Sequence, residues 1–357
     1  MIGKGRDDVH VTITGLGAHV PERVITNDEL AKMVDTSDEW IVERTGIRER
    51  RIAADSEALS DLALPAIDQA LDQAGLEGKD VDLLIVATVT PDMMFPSTSA
   101  ILADRIGAAD AAAYDLSAGC TGFMYAVAQA YGMVAAGLAQ RALVVGGDVL
   151  SRILDWSDRS TVVLFGDGAG AVVLEVSQEP GFLAFELGAD GAGGEHLWLP
   201  GSGSRLFEDS DRLVKMNGRE VFKFATRVLV QSAEAVLDRD GARIEDVDVY
   251  VPHQANVRII DHATKKLGIP SDRVVINVDR YGNTSSGSIP LALAEAQADG
   301  RLRAGSLVLM TGMGAGLTWG SALMRWTQRL EASPAKPATP GQKTRPPGAG
   351  AGAGAAA

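Results

Sequence analysis

Apolar residues recur along this chain in two patterns, one at helical spacing and one in short unbroken runs. Residues 59–71 and 221–235 carry apolar side chains every three or four positions, which predicts one buried helix face in each segment. Short apolar runs at 83–88, 142–145, 249–251 and 307–310 are typical of strands buried on both faces. Strands that alternate with helices predict an α/β fold in which helices cover the sheets.

Three pairs of similar segments follow one another in the same order in the two halves of the chain. The first pair is LDQAGLEGKDVDLLIVATVT and LDRDGARIEDVDVYVPHQAN, which begin at positions 71 and 237. The second pair places Cys120 and Asn283 at equivalent ends, and the third aligns VVLFGDGAGAVVLEV with VLMTGMGAGLTWGSALM. Three repeats in register predict duplicated βα halves at residues 9–180 and 181–331, packed together.

Two regions lack these patterns. Residues 188–212 are rich in Gly, Ser and acidic residues, and we expect them to form a long surface loop near a site. Residues 332–357 are mostly Pro, Ala, Gly, Thr and Lys, a composition that predicts a disordered tail without chemistry of its own.

Composition and charge exclude several classes of function. A net charge of −14 argues against nucleic-acid binding, since phosphate attraction needs a basic field. One cysteine cannot form an internal disulfide, and the five histidines show no metal-ligand spacing. No apolar run approaches the roughly 20 residues that span a bilayer, and the N-terminus lacks the apolar core of a signal peptide. We therefore expect a soluble, cytoplasmic protein without a metal site or a membrane association.

Cys120 is the first candidate for chemistry. It lies in DLSAGCTGFMYAVAQA, where a short strand leads into small residues and then into an Ala-rich helix. A thiol at a helix N-terminus faces free N–H groups and the positive end of the helix dipole, which favour the thiolate. The alternative is a buried cysteine that packs as a small apolar side chain, which is the commoner situation for a lone cysteine.

His253 and Asn283 lie at positions where α/β folds place functional residues. His253 follows a predicted strand directly, and Asn283 lies in the polar turn RYGNTSSGSIPLAL before a helix. Asn283 alone would be interpreted as a turn or N-cap residue, and His253 could be structural. The repeat changes this balance, because it brings Cys120 and Asn283 to equivalent places in the two halves.

The glycine runs do not predict a nucleotide site. The run at Gly166, Gly168 and Gly170, like the run at 312–316, is spaced G-x-G-x-G and flanked by apolar residues on both sides. A phosphate loop instead opens a helix. We interpret both runs as tight turns between adjacent strands. The chain also lacks the G-x-S-x-G motif of serine hydrolases.

Six motifs together resemble the β-ketoacyl-acyl-carrier-protein synthase III family of the thiolase-like superfamily. They are TSDEWIVERTGIRERRIA, DLSAGCTGF, FGDGAGAVVL, VPHQANVRIID, YGNTSSGSIPLAL and GMGAGLTWGSAL, in order over residues 9–328. The resemblance implies a thiolase-like fold, with two halves layered as αβαβα, and a homodimer.

The same resemblance implies a condensing reaction at Cys120. This residue would take an acyl group from acyl-CoA as a thioester, and malonyl-acyl-carrier protein would lose CO₂ and attack it. His253 and Asn283 would stabilise the charge formed on decarboxylation, and the backbone N–H groups of Cys120 and Ala315 would form an oxyanion hole. The product would be a 3-oxoacyl-acyl-carrier protein that initiates fatty-acid synthesis, and no cofactor would be needed.

Further residues receive binding roles by this resemblance. Those implied for coenzyme A are Trp40, Arg44, Arg159 and Asn256. Those implied for the acidic carrier protein are Lys223, Arg258, Lys265 and Lys266. The acyl pocket would include Leu317 and also Phe95, which would be contributed by the partner subunit. Ala315 stands where the family more often has Gly, and Leu317 where it often has Phe, which leaves the acyl preference open.

Three alternatives stay open at this point. A priming synthase or acyltransferase of a polyketide or secondary-metabolite pathway would use the same three residues. A thiolase is less well supported, because that chemistry generally uses two cysteines. A non-enzymatic scaffold would not depend on Cys120.

Overall fold

The structure, a computed structural model, describes residues 9–201, 203–205 and 212–327. The predicted disordered tail, residues 332–357, lies outside the described residues.

The helices and strands alternate along the chain. The strands are β1 (His10–His19), β2 (Val24–Thr26), β3 (Glu49–Arg51), β4 (Leu83–Ala87), β5 (Ala112–Leu116), β6 (Arg141–Asp148), β7 (Gly168–Ser177), β8 (Phe182–Ala189), β9 (Leu197–Trp198), β10 (Lys215–Met216), β11 (Val249–Pro252), β12 (Leu307–Gly314) and β13 (Thr318–Arg325). The α-helices are α1 (Asn27–Leu30), α2 (Asp38–Thr45), α3 (Leu59–Ala74), α4 (Thr98–Ile106), α5 (Gly122–Ala135), α6 (Arg159–Val162), α7 (Gly218–Asp240), α8 (Val257–Leu267), α9 (Val278–Tyr281) and α10 (Ser288–Ala298).

Two mixed sheets form the centre of the molecule, and their strand orders correspond. The first is β1-β7-β6-β4-β5, and the second, read in the same sense, is β8-β13-β12-β11. In the first sheet β1–β7 and β7–β6 are antiparallel and β6–β4 is parallel. In the second sheet β8–β13 and β13–β12 are antiparallel and β12–β11 is parallel. A single parallel bridge from Tyr250 to Val274 occupies the position that β5 has in the first sheet.

The core residues show five layers, because successive side chains of the central strands point to opposite faces. Leu83 and Ile85 face a core that α5 and α10 share with both sheets, whereas Leu84 and Val86 face α3. In the second sheet Val249 faces the shared core and Tyr250 the outer cluster formed with α7 and α8. The layers are therefore α3, the first sheet, the pair α5 and α10, the second sheet, and the pair α7 and α8. This αβαβα order confirms the predicted fold class.

The strand orders of the two sheets correspond, but the third sequence pair of the predicted repeat is misaligned. Gly168 begins β7, the partner of β6, whereas Gly314 ends β12, which is the equivalent of β6. The two glycine runs are therefore not equivalent. The prediction of two strand-connecting turns holds only for the second run, where residues 315–317 join β12 to β13; the first run leads from α6 into β7.

The second pair is close to equivalent, with a shift of three residues. Gly119 and Ser285 both have a positive φ, of 56° and 51°, and each lies three residues before the first residue of a central helix. Cys120 therefore corresponds to Ser286, and Asn283 lies three residues earlier on the same turn.

Residues 188–212 are more ordered than predicted where they are described. Gly191–His196 form a 3₁₀ helix and β9 pairs with β10, so the predicted long loop is wrong for this part.

Candidate active site

Cys120 lies on a short 3₁₀ turn, Gly119–Thr121, between β5 and α5, and is 8% exposed. Two glycines, Gly119 beside Cys120 and Gly314 beside Ala315, let the two turns approach closely at this point. A Cβ on Gly119 would lie 2.7 Å from the backbone N and O of Ala315, and one on Gly314 would lie 2.5 Å from the Cys120 N. The sulfur is therefore placed where the turn between β12 and β13 meets the start of α5.

The backbone N–H groups of Cys120 and Ala315 both act on the sulfur. Both lower the pKa of the Cys120 thiol, and Ala315 lines the same cavity as Cys120. Two backbone N–H groups beside a nucleophile are the donors that an oxyanion hole needs.

The thiolate at Cys120 is not favoured in the way the sequence indicated. Burial raises the pKa of the thiol to about 11, outweighing the hydrogen bonds that lower it, and the nearby Asp148 carboxylate raises it further. The backbone N–H groups therefore act in the predicted direction, but burial outweighs them, and the thiol is the favoured form without substrate.

His253 follows β11 directly and is buried, with 1% of its surface exposed. Its Nδ1 lies 2.6 Å from Ser288 Oγ, which also accepts a 3.4 Å hydrogen bond from the Gln254 N–H. When the Ser288 hydroxyl donates to His253 Nδ1, the neutral ring carries its proton on Nε2. Nε2 is buried and makes no hydrogen bond to the described residues, so it is a donor that a substrate can use.

Asn283 is fixed so that its amide NH₂ group is available. Its backbone N–H donates to the Leu164 carbonyl at 2.8 Å, and its carbonyl accepts from Gly166 at 3.0 Å. Its side-chain Oδ1 accepts from the Ser285 N–H at 2.8 Å, which orients Nδ2 as the remaining group of the side chain.

Residues 283–288 connect the three predicted catalytic residues. Ser286 donates to the Gly119 carbonyl at 3.1 Å, next to Cys120, and Ser288 contacts His253. Asn283 begins the same segment. One short turn before α10 therefore holds the amide, contacts the imidazole and touches the turn that carries the thiol.

The state of His253 gives a pH prediction. Burial lowers its pKa to about 3, so the imidazole stays neutral at neutral pH. The unfolded chain binds a proton below pH 6.5 that the folded chain does not, so this group's contribution to stability is complete above about pH 6.5 and falls as the pH falls towards 3. We expect the His253 ring resonances, assigned with His253→Ala, to show no titration between about pH 5 and pH 8 in NMR spectra. A midpoint near the ordinary histidine value would contradict this.

An apolar cavity of about 130 Å³ opens at the sulfur. The residues lining it include Gly119, Cys120, Ser285 and Ala315 at one end. The apolar members of the lining are Val89, Leu150, Ile153, Phe165, Leu197, Leu199 and Val214. A small cavity with these walls fits a short acyl chain attached to the thiol.

The two residues predicted for an acyl pocket do not line this cavity. Leu317 is buried in a cluster with Phe224 and Met313, and its side chain fills the space beside Gly193. Phe95 is 85% exposed. Both roles stay predictions, and the sequence did not identify most of the residues that form the observed walls.

Three of the residues predicted for coenzyme A lie together at the surface. The Arg159 guanidinium lies 4.8 Å from the centre of the Trp40 ring, and that of Arg44 lies 5.9 Å from it. Arg159 Nη1 also donates to the Asp35 carbonyl at 2.7 Å. Asn256 caps α8 through the Arg258 N–H and donates to the Arg44 carbonyl at 3.1 Å, which attaches this surface to the helix that follows His253.

The four residues predicted for a carrier protein are all exposed on α7 and α8. Lys223 pairs with Glu220 at 2.7 Å, and the Arg258 guanidinium lies 5.5 Å from the centre of the Phe222 ring. Lys265 and Lys266 lie in the last turn of α8. The structure thus groups them on two contacting helices.

No group of three or more His, Cys, Asp or Glu residues that could hold a metal ion occurs in the described part of the chain. Among the same residues, no helix is both long and apolar enough to cross a membrane.

The chain matches two family models. Residues 114–191 match 3-oxoacyl-[acyl-carrier-protein] synthase III, and residues 237–326 match the C-terminal model of the same family. A β-ketoacyl-[acyl-carrier-protein] synthase III from Symbiobacterium thermophilum is 54% identical, covering 88% of this chain and 98% of that protein. One from Desulfitobacterium hafniense is 51% identical, covering 90% and 99%.

Solved structures are also similar to this chain over most of its length. The β-ketoacyl-[acyl-carrier-protein] synthase III of Thermus thermophilus is 52% identical, with a TM-score of 0.84, over 88% of this chain and 99% of that one. The priming β-ketosynthase of the R1128 polyketide pathway is 36% identical, with a TM-score of 0.85, over 92% and 99%.

Proposed function

Because this chain belongs to the β-ketoacyl-[acyl-carrier-protein] synthase III family, we propose that it joins an acyl-CoA primer to malonyl-acyl-carrier protein. The reaction is a decarboxylative condensation that gives 3-oxoacyl-acyl-carrier protein and initiates fatty-acid synthesis. Acyl-CoA and the malonyl carrier protein are substrates, so the chemistry needs no cofactor. A cytoplasmic location stays a prediction.

The first half-reaction is transfer of the acyl group to Cys120. The Cys120 sulfur attacks the thioester carbonyl as its proton leaves, the bond from that carbon to the coenzyme A sulfur breaks, and the departing thiolate takes up a proton to leave as free coenzyme A. The carbonyl oxygen becomes negative in the transition state, and the backbone N–H groups of Cys120 and Ala315 stabilise it as an oxyanion hole. The acyl chain then lies in the apolar cavity beside the sulfur.

The second half-reaction forms the carbon–carbon bond. Loss of CO₂ from the malonyl group places negative charge on its thioester oxygen, and His253 Nε2–H and Asn283 Nδ2–H stabilise it as neutral donors. A cationic imidazole would hold the malonyl carboxylate and oppose its departure. The burial that keeps His253 neutral therefore suits this step. The new carbanion attacks the acyl thioester and releases Cys120.

The observation that carries this proposal is that Cys120 lies at the end of an apolar cavity, where its turn is in close contact with the turn that carries Ala315. The direct test is to incubate the protein with each of a series of acyl-CoAs and malonyl-acyl-carrier protein, measuring CO₂ and 3-oxoacyl product. We expect equal amounts of both. Acyl transfer without CO₂ release would overturn the condensing role.

The related priming β-ketosynthase of a polyketide pathway supports a second candidate, a synthase that primes such a pathway. The same assay with two carrier proteins separates the two. Turnover with the fatty-acid carrier protein supports the first proposal, and turnover restricted to a polyketide carrier protein supports the second.

We also propose that the enzyme is a homodimer. Phe95 and Met94 are 85% and 73% exposed, and Met93 is 48% exposed, an apolar group unusual for free surface. In the dimer each subunit would cover these residues of the other, and Phe95 of one subunit would approach the acyl cavity of its partner. Sedimentation should give twice the chain mass, and Phe95→Glu should shift it towards the monomer.

Trp40 gives a prediction about coenzyme A. We expect Trp40→Ala to raise KM for acyl-CoA about tenfold with little change in kcat, since stacking of a base on an aromatic ring is worth roughly 1–3 kcal/mol. The matched control is acyl-pantetheine, which lacks the adenine and should be used equally well by both proteins. An equal loss with acyl-pantetheine would show that Trp40 does not contact the adenine.

Lys265 and Lys266 give a prediction about the carrier protein. We expect the double change Lys265→Glu and Lys266→Glu to raise KM for malonyl-acyl-carrier protein about tenfold and to weaken its salt dependence, because it reverses an attractive field. Loading of Cys120 from acyl-CoA should be unaffected. Lys79→Glu, which changes an exposed lysine paired with Glu77, is the control for general charge. Equal effects of the two changes would contradict a local docking surface.

A further inference from the structure

The contact between Ser288 and the ring of His253 joins two buried side chains. Ser288 Oγ lies 2.6 Å from His253 Nδ1, and each residue has 1% of its surface exposed. At this distance the contact is a hydrogen bond, and the atom that donates in it decides which ring nitrogen carries the proton. If Ser288 donates, the neutral ring has its proton on Nε2, and if the ring donates, the proton is on Nδ1.

The Ser288 hydroxyl makes a second hydrogen bond, in which it is the acceptor. The backbone N–H of Gln254 donates to Ser288 Oγ at a long distance of 3.4 Å. Gln254 is itself held firmly, because its side-chain Nε2 donates to two backbone carbonyl groups at 2.8 Å and 3.0 Å, and its Oε1 accepts from the Asn277 N–H at 2.9 Å. Ser288 Oγ therefore accepts from this N–H whichever nitrogen of the ring carries the proton.

The number of unpaired polar atoms differs between the two states of the ring. With the proton on Nδ1, Ser288 Oγ would accept twice, and its own buried O–H would have no acceptor among the described residues. The Nε2 lone pair would lack a donor as well. With Ser288 donating to Nδ1, Nε2–H alone lacks a partner. Because an unpaired buried polar group is costly, the second state is favoured.

The backbone of His253 is fixed on both sides of the ring. Its N–H donates to the Thr311 carbonyl at 2.7 Å, just beyond the end of β11, and its carbonyl accepts from the Ala255 N–H at 3.0 Å. Ser288 is the first residue of α10, so it is held by a different element. In the described chain the hydrogen bond from Ser288 is the polar contact that the ring makes, and it sets the rotation of the imidazole about its Cβ–Cγ bond.

The turn before α10 treats the side chains of Asn283 and His253 in the same way. It occupies the acceptor atom of Asn283, since Oδ1 accepts from the Ser285 N–H at 2.8 Å. With Ser288 as donor, it also occupies the acceptor atom of His253, which is Nδ1. In each side chain an N–H group is left for another molecule. One short segment therefore prepares both side chains as hydrogen-bond donors.

We propose that Ser288 is a positioning residue whose hydroxyl donates a hydrogen bond to His253 Nδ1 and so keeps His253 as an Nε2–H donor, an inference that rests on the proposed use of His253 in the malonyl step. Ser288 does not touch the substrate. It disfavours the tautomer in which Nε2 presents a lone pair, which would repel the negative thioester oxygen formed when CO₂ leaves. It also fixes the plane of the ring, so that the Nε2–H bond keeps one direction.

The first test determines the tautomer in the free wild-type protein. The chain has five histidines, and in protein labelled with ¹⁵N-histidine the ring nitrogen without a proton resonates far downfield of the one that carries it. His253→Ala assigns the signals of His253. We expect a proton on Nε2 and none on Nδ1, and the opposite tautomer would overturn the proposal. Since no substrate is used, the result does not depend on the condensing reaction. Failure of the wild-type protein to release CO₂ would count against the proposed function and not against the role of Ser288 in fixing the ring.

The second test is Ser288→Ala. Without the hydroxyl neither ring nitrogen has a partner among the described residues, so we expect both tautomers in the spectra. CO₂ release and condensation should fall about tenfold, the effect of one lost hydrogen bond, while loading of Cys120 from acyl-CoA keeps its rate. The comparison is made on one sample, with acyl-enzyme followed by mass spectrometry.

Ser232→Ala is the matched control. Ser232 is also a buried serine on a helix, with a 2.7 Å hydrogen bond to Ser321 Oγ, and its loss should leave the His253 tautomer and both half-reactions unchanged. Equal loss of loading and condensation in Ser288→Ala would show a general structural defect and overturn the proposal. So would an Nε2–H tautomer that persists in Ser288→Ala with normal rates. If Ser288→Ala does not fold, the wild-type spectrum decides the matter.

Discussion

Cys120→Ala abolishes acyl loading and lowers condensation by at least about 10⁴-fold, because no other group in the site can carry the acyl chain and loss of a nucleophile has effects of this size. The measurement is the intact mass of the protein after incubation with acyl-CoA, together with the rate of 3-oxoacyl product formation. We expect no adduct and no product above background.

Cys120→Ser is the matched variant for this prediction. Serine keeps the size of the side chain, so the fold and the cavity stay unchanged, but its hydroxyl is a far weaker nucleophile. We expect slow or undetectable loading with a thermal unfolding midpoint close to that of the wild type. Normal condensation by either variant would contradict the role of Cys120 and revive the scaffold hypothesis.

Removal of the two side-chain donors has the second largest effect, and it is confined to one half-reaction. His253→Ala and Asn283→Asp should each lower decarboxylation and condensation about 10²–10³-fold, the usual cost of one oxyanion donor. Loading of Cys120 should continue, since its oxyanion hole consists of backbone N–H groups.

Aspartate is the informative replacement at Asn283. It keeps an oxygen that can accept from the Ser285 N–H, so the turn stays in place, and it replaces the NH₂ donor with a carboxylate oxygen, which cannot donate and repels the developing negative charge. The measurement compares acyl-enzyme formation with CO₂ release on the same sample. Equal loss of both half-reactions would show that these residues act on loading or on the fold, and would contradict their assignment to the malonyl step.

The fold class and the three central residues could be predicted because local patterns encode them. The helices at 59–71 and 221–235 and the four buried strands have the expected spacing, and each is present in the structure, with the strand ends shifted by up to four residues. His253 directly follows the buried strand β11, and Cys120 lies on the turn that connects β5 to α5, the kind of place where α/β folds expose side chains. Six specific motifs indicated the condensing reaction, through the family resemblance that they carry.

The cavity walls could not be predicted, since they depend on contacts between distant segments. Leu150, Leu197 and Val214 are ordinary apolar residues in the sequence and become neighbours only in the folded chain. The G-x-G-x-G spacing misled the repeat alignment, because in one half it opens a strand and in the other it leads into a turn.

The protonation state of Cys120 could not be predicted for a related reason. Position at a helix N-terminus is visible in the sequence, whereas burial is not, and here burial dominates the pKa of the thiol.

A pulse-chase experiment on the wild-type protein tests the central claim most directly. The protein is loaded with isotopically labelled acyl-CoA, freed of excess, digested and mapped by mass spectrometry before and after addition of malonyl-acyl-carrier protein. We predict one acyl group on the peptide that contains Cys120, and its complete transfer into 3-oxoacyl-acyl-carrier protein on the chase. An unmodified Cys120 peptide, or an adduct that the malonyl carrier protein does not remove, would contradict the account.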